Sequence, residues 1–317
     1  MDKKIRIGIS SCLLGENVRY DGGHKHERYI TSTLGRFFDW VPTCPEVAIG
    51  LGVPRPTIRF EMVDKEPRLV EPKGGTDLTN KMTRFSKKRA NELRGHDIYG
   101  YIFKAKSPSC GMARLKIYRG YGQRPATSGV GVFADQIMQT MPNLPVEEEG
   151  RLMDPGLREN WLKRVFAYYN FKQTMGSRVS IKKLVEFHSA YKFVVLAHCP
   201  ATYKTMGQIV ANAKQMGVAK AGEEYETLMM MALKKKATRA KHVNVQEHLL
   251  GFFKKELSPE VRREILQTIQ DYRREYVSIV VPITLIKHYA KILGIDYLKN
   301  QAYLNPHPKE LALLSAI

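Results

Sequence analysis

The hydrophobic period of this chain changes near Pro155, and that change limits its architecture more than any other feature. Before it, short apolar runs of strand length alternate with amphipathic stretches. After it, apolar residues recur at helical spacing almost throughout. Strands alternating with helices predict a parallel sheet, whereas an unbroken helical period predicts a bundle. With 317 residues there is material for two cores. We therefore expect an α/β N-terminal domain over residues 1–150, with a mostly parallel, Rossmann-like sheet, followed by an all-α domain over residues 151–317.

In the first part, Ile5–Ile9 reads as a strand entering a loop at Ser10-Ser11-Cys12. Residues 26–38 suit a short helix. Trp40-Val41-Pro42 closes a second strand before Cys44-Pro45-Glu46. Pro-rich turns follow at residues 54–56 and 71–75, and Thr76–Thr79 can cap a helix reaching about Leu93. Tyr99–Lys104 is a third strand, running into Ser107-Pro108-Ser109-Cys110-Gly111, and Gly129–Phe133 reads as another. Leu144–Gly150 reads as a linker. Beyond it, helices are expected over residues 159–173, 181–197, 223–237, 243–253 and 259–276, after Pro282 and around Leu311. Met229-Met230-Met231 reads as core packing.

Three of the four cysteines, Cys12, Cys44 and Cys110, each lie in a loop just after a strand. In an open parallel sheet such loops gather at one edge, where these folds place their sites. Residues 32 and 66 positions apart can meet there. There is no Cys-x-x-Cys, which excludes a zinc ribbon or a ferredoxin-type run. Metal ligation, cluster ligation, a nucleophilic thiol and simple burial all stay open on spacing alone.

The charge is strongly positive: 51 Lys and Arg against 31 Asp and Glu, a net +20. The first 150 residues hold 24 basic and 17 acidic residues, the rest 27 and 14. A field of this sign favours polyanion partners. In the helical part the cations cluster at Lys182-Lys183, Lys234-Lys235-Lys236, Lys254-Lys255, Arg262-Arg263 and Arg273-Arg274, with Arg239 and Lys241 beside the second group. Any one pair can simply be a solvated helix face, but together they favour RNA. No run approaches the ~18 apolar residues of a membrane span, so a cytoplasmic protein with no membrane partner is expected.

Three segments resemble one family. Ser10-Ser11-Cys12-Leu13-Leu14-Gly15-Glu16-Asn17-Val18-Arg19-Tyr20-Asp21-Gly22-Gly23-His24 is similar to the opening motif of the TudS-type thiouracil desulfidases. Cys44-Pro45-Glu46-Val47 with Gly50–Arg55 resembles that family's second motif, and Lys106–Gly111 its third. The helical part, through Lys192-Phe193 and Ala197-His198, resembles the YbgA-type domain, and the two-domain chain resembles the RudS-type tRNA 4-thiouridine desulfidases.

The resemblance implies a [4Fe-4S] cluster on Cys12, Cys44 and Cys110, with one iron left open. Cys199 matches no cluster motif and is expected to be a structural thiol. The implied reaction replaces a thiocarbonyl sulfur by oxygen without net electron transfer, so it needs a soft acceptor for sulfide and an acid–base group. Glu46 is the first candidate for the base, with Ser107 and Ser109 as relays. Arg19, Tyr20, Asp21 and Lys106 are candidates for substrate contact: Tyr20 by stacking on a pyrimidine, Asp21 at its edge, Lys106 at a phosphate. Turn formation is the plainer account of Asp21 and of Ser-Pro-Ser. The expected substrate is 4-thiouridine in tRNA. Free thiolated pyrimidines, or a non-enzymatic cluster-bearing nucleic-acid sensor, are the alternatives.

Overall fold

A computed structural model describes residues 4–119, 124–176 and 179–311. The chain divides into two compact units, Met1–Trp161 and Leu162–Ala312.

Among its described residues, the first unit carries two four-stranded sheets. Strands β1 (Ile5–Ser10), β2 (Phe38–Thr43), β5 (Tyr101–Phe103) and β8 (Val146–Glu148) form an all-parallel sheet in the order β2-β1-β5-β8. Strands β3 (Arg59–Val63), β4 (Glu66–Val70), β6 (Leu115–Tyr118) and β7 (Ala126–Gly129) form a mixed sheet in the order β4-β3-β6-β7. Helices α1 (Pro45–Ala48), α2 (Thr79–Gly95) and α3 (Val132–Thr140) connect them. β1 is central, and five of its six residues are buried, as expected where both faces of a parallel strand are covered. Gly8 is required there, because a Cβ would stand 2.2 Å from the Tyr101 ring.

The α/β and all-α expectations match this architecture, but four local readings need correction. Residues 26–38 are not one helix: a π-turn (Tyr29–Thr33) and a 3-10 turn (Leu34–Arg36) precede β2, which already begins at Phe38. The Pro-rich stretch hides the β3–β4 hairpin, whose turn residues Asp64 and Lys65 both have positive φ (49° and 66°). Hairpin turns of that geometry usually advertise themselves with Asn-Gly or Asp-Gly, and Asp-Lys does not. Gly129–Phe133 is not a strand: β7 ends at Gly129 and α3 begins at Val132. Leu144–Gly150 is not an open connection, since β8 pairs in register with β5 from Tyr101↔Val146 to Phe103↔Glu148.

The second unit contains helices and no strand among its described residues. Helix α4 (Pro155–Met175) spans the division point. Trp161 belongs to the sheet unit: its Nε1 donates to the Pro145 carbonyl at 3.2 Å, and its ring meets Phe38 edge-on at 5.9 Å. Then follow α5 (Ile181–His198), α6 (Pro200–Ala211), α7 (Ala213–Met216), α8 (Val218–Lys234), α9 (Arg239–Leu250), α10 (Pro259–Arg273), α11 (Val280–Ile292) and α12 (Asp296–Lys299). Ser180 caps α5 by accepting from the Lys183 N–H, as its sequence position suggests. α6 was not anticipated; it starts on Pro200, whose missing N–H costs nothing in a first turn. Met229 and Met230 are core, but Met231 is exposed. The helix expected around Leu311 is described only to that residue; its continuation lies outside the described residues.

Backbone packing at the start of α3 shapes the Cys110 loop. The N–H groups of Gly131 and Val132 donate to the carbonyls of Gly111 and Pro108, and those of Phe133 and Ala134 to Ser109. A Cβ at Gly131 would lie 2.6 Å from the Ser109 carbonyl and 2.8 Å from the Cys110 nitrogen. Neither neighbour is a side chain that can swing away. Gly131→Ala should therefore lower unfolding stability by ~1–3 kcal/mol in denaturant titrations. Gly150→Ala, with nothing within 4 Å of the added Cβ, should leave stability within ~0.5 kcal/mol of the parent.

Three imidazoles of the helical unit are buried and hard to protonate. Burial lowers His188 and His198 to about 4 and His242 to about 3, with Lys192 adding to the first and Lys163 to the others. His198 Nδ1 pairs with the Lys235 carbonyl at 2.6 Å and His242 Nδ1 with the Tyr303 hydroxyl at 3.0 Å. Unfolded imidazoles titrate near 6.5, so below that value the unfolded chain binds more protons than the folded one. The stability these groups contribute is complete above pH ~6.5 and is lost as pH falls toward their folded values. Melting of the helical unit should drop by at least ~3 °C between pH 7 and pH 5. A melting temperature flat over that interval would contradict the assignment.

Candidate active site

Because β1 runs parallel to both β2 and β5, all three strands release their chains at one sheet edge. Cys12 follows β1 in a 3-10 turn (Ser11–Leu14), Cys44 follows β2 and caps α1, and Cys110 ends the loop leaving β5. All three line one cavity of about 670 Å³. Cys12 and Cys110 are buried and Cys44 is half-buried. Among the described residues, no three His, Cys, Asp or Glu side chains stand close enough to hold a single metal ion. Cys199 lies in the helical unit, where Thr202 Oγ1 and Lys235 Nζ stand 3.2 and 3.6 Å from its sulfur.

Burial sets the chemistry of the three thiols. It pushes Cys12 up to about 11, against the pull of Lys104, and Cys110 up to about 12, against hydrogen bonds from Ser10 and Ser109. Cys44 is also raised by burial. Burial thus favours the protonated form at all three positions.

Glu46 sits in the first turn of α1 and divides its carboxylate between two sets of partners. Oε2 takes Arg55 Nη2 at 2.7 Å and Nε at 3.0 Å. Oε1 accepts from Ser109 Oγ at 2.7 Å and Ser107 Oγ at 3.4 Å. The two hydroxyls are 2.9 Å apart, and Ser107 Oγ also accepts the N–H groups of Ser109 and Cys110. The result is one connected line, Arg55–Glu46–Ser109–Ser107, ending at the more exposed serine. The structure thus brings Glu46, Ser107 and Ser109 together at the cavity wall.

The proposed substrate contacts divide. Arg19, Tyr20 and Lys106 line the cavity, and Lys106 holds a strained φ of 61°. Asp21 is not on its wall: its carboxylate takes Arg19 at 3.1 and 3.2 Å and the Gly23 N–H at 3.1 Å, which is turn chemistry.

Sequence reasoning missed two groups. Arg55 stood in the Gly-Leu-Gly-Val-Pro-Arg segment; a lone Arg between prolines nine residues past Glu46 was the available signal. Glu148 and Glu149 were hidden in the supposed connection. Glu149 pairs with Lys104 Nζ and accepts the Ala105 N–H at 2.7 Å, and Glu148 accepts the Met112 N–H at 2.8 Å. Together they pin both ends of the Cys110 loop. The mixed sheet adds Arg59, Lys116 and Tyr118 to the wall, with the Arg59 guanidinium 4.5 Å from the Tyr118 ring centre.

Residues 7–149 match a family model described as 2-thiouracil desulfurase, and residues 192–308 match one described as protein of unknown function DUF1722. The uncharacterized protein YbgA of Escherichia coli (strain K12) is 27% identical over 156 residues, covering 49% of this chain and 92% of YbgA. A solved structure of the [4Fe-4S]-dependent thiouracil desulfidase TudS is 29% identical, covering 47% of this chain and 94% of that one, with a TM-score of 0.38. The chain thus joins, in one polypeptide, a region that matches the 2-thiouracil desulfurase model and a region that matches the DUF1722 model and is similar to YbgA.

Proposed function

We propose that the protein is a [4Fe-4S]-dependent desulfidase that converts 4-thiouridine in tRNA to uridine by hydrolysis. The observation that carries this reading is the convergence of Cys12, Cys44 and Cys110 with the Glu46–Ser109–Ser107 line on one cavity. The donor set suits a cluster better than a lone ion. Thiolates are the usual ligands of cluster iron, and a multi-iron core takes one ligand per iron, so its ligands surround it rather than converge on a point. Three thiols leave one iron of four without a protein ligand. Cluster binding must displace the thiol protons that burial favours.

When bound, such a cluster supplies a soft Lewis acid that accepts the sulfur of the substrate. The chain's own residues handle the protons. Ser107, at the exposed end of the line, takes the proton of an attacking water and passes its own through Ser109 to Glu46 Oε1. The same line returns a proton to the departing sulfur or the ring nitrogen. Tyr20 is half-exposed, with Arg19 5.3 Å from its ring centre, and offers a face on which a splayed-out pyrimidine can stack. Among the described residues, eight basic side chains and a single carboxylate, Glu46, line the cavity, so an anionic substrate is favoured over a neutral base.

The helical unit supports RNA as the form in which the substrate arrives. Lys182, Lys235, Lys236, Lys254, Lys255, Arg263, Arg273 and Arg274 are exposed on α5, α10 and the segments after α8, α9 and α10. Phosphate contacts of this kind give affinity without sequence reading and weaken steeply with salt. No described helix is long and apolar enough to cross a membrane.

Protein reconstituted anaerobically with iron and sulfide should lower the 4-thiouridine content of tRNA and release sulfide; unchanged 4-thiouridine would defeat the tRNA reading. Serine at Cys12, Cys44 or Cys110 should each reduce bound iron and the cluster's visible absorption. Glu46→Gln should keep the iron but lower turnover by about 10²-fold or more. Nucleic-acid affinity that responds to cluster state, with no sulfide released, would favour a sensor instead.

A further inference from the structure

We infer that Arg55 is the positioning residue of this site: its guanidinium turns the Glu46 carboxylate so that Oε1 alone faces Ser107 and Ser109. The kinetic consequence rests on the desulfidase reading; the geometric one does not.

The guanidinium is held independently of Glu46. Its Nη1 donates to the Gly52 carbonyl at 2.9 Å and its Nη2 to the Val18 carbonyl at 2.9 Å, while the Arg55 backbone N–H donates to the Tyr20 carbonyl at 2.9 Å. Those partners come from two separate segments, the one after Cys12 and the one after α1. Val18 O is also 3.7 Å from Cys44 Sγ. Arg55 is therefore a fixed template rather than a side chain that follows its carboxylate.

Nε and Nη2 both fall on Oε2, while Nη1 goes to the Gly52 carbonyl. A symmetric fork would engage both oxygens and leave neither for the serine line. This arrangement loads one oxygen and reserves the other for the serine line. The arginine side chain is 3% exposed and the glutamate side chain 14%, so water competes little for either. A lysine ammonium keeps the charge but lacks the rigid fork, and cannot reach Oε2, Gly52 and Val18 with the same geometry.

The test uses the full-length reconstituted protein with Arg55→Lys, Glu46→Gln and the double variant. A crystal structure of Arg55→Lys should show Glu46 Oε1 beyond ~3.5 Å from Ser109 Oγ. Glu46 still bonded to Ser109 overturns the inference, whatever the protein does to thiouridine. Should Arg55→Lys fail to fold, the structure of Glu46→Gln decides: Arg55 should stay on Gly52 and Val18, and an Arg55 that has left them overturns the inference. In turnover of 4-thiouridine, Arg55→Lys should lose about tenfold in kcat with KM within about twofold and iron content unchanged. Added to Glu46→Gln, it should cost less than about twofold more, because both changes break the same line. Losses that multiply would show that Arg55 acts by another route. A parent protein that desulfurates nothing removes the proposed reaction but leaves the crystallographic result to decide the role of Arg55.

Discussion

Parallel pairing of β1 on both of its edges is the constraint from which the site follows. β1 runs in register with β2 from Ile5↔Phe38 to Ser10↔Thr43, so the loops carrying Cys12 and Cys44 leave the sheet side by side. Its pairing with β5, at Gly8↔Tyr101 and Ile9↔Ile102, brings the Cys110 loop to the same edge. That pairing needs Gly8, where the Tyr101 ring occupies the space a side chain would take. Lys104 N donates to Ser10 Oγ at 3.0 Å where β1 and β5 end, tying the first and third loops before they diverge. A one-residue slip on either side of β1 would invert every side chain and separate the thiols.

On this frame the polar groups act in two ways. Glu148, Glu149 and the first turn of α3 hold the backbone of the Cys110 loop, and Arg55 holds the side chain of Glu46. The buried thiols resist ionisation, while the surrounding wall is rich in cations. An arrangement of that kind is costly as a mere core and reasonable as a site, since buried charge is retained where chemistry needs it. The helical unit solves a different problem. Its core is largely apolar, with imidazoles disfavoured from charging by burial, and most of its described cations lie at the surface.

Much of this was legible in the residues, for local reasons. Tyr99–Lys104 and Ile5–Ile9 are apolar runs of strand length, and Thr79–Gly95 carries its helical period openly. The segments that misled are those whose local preference is weak. β8 is short and holds Glu147 and Glu148, so only the pairing partner β5 makes it a strand. Gly129–Phe133 reads as an extended apolar run, yet packing of Gly131 against Ser109 and Cys110 turns it into a helix start. Tertiary context outweighs propensity in both cases.

The chain by itself determined the two-part architecture, the placement of three cysteines at strand ends, the excess of positive charge and the candidates Glu46, Ser107 and Ser109. Those are properties of period, composition and sequence order. Tertiary structure alone decided that Glu46 meets both serines across more than sixty residues, that Arg55 stands behind it, that Asp21 turns away onto Arg19, and that a second sheet closes the cavity. Hydrogen bonds between side chains distant in sequence depend on strand order and register, and neither is encoded in any single segment.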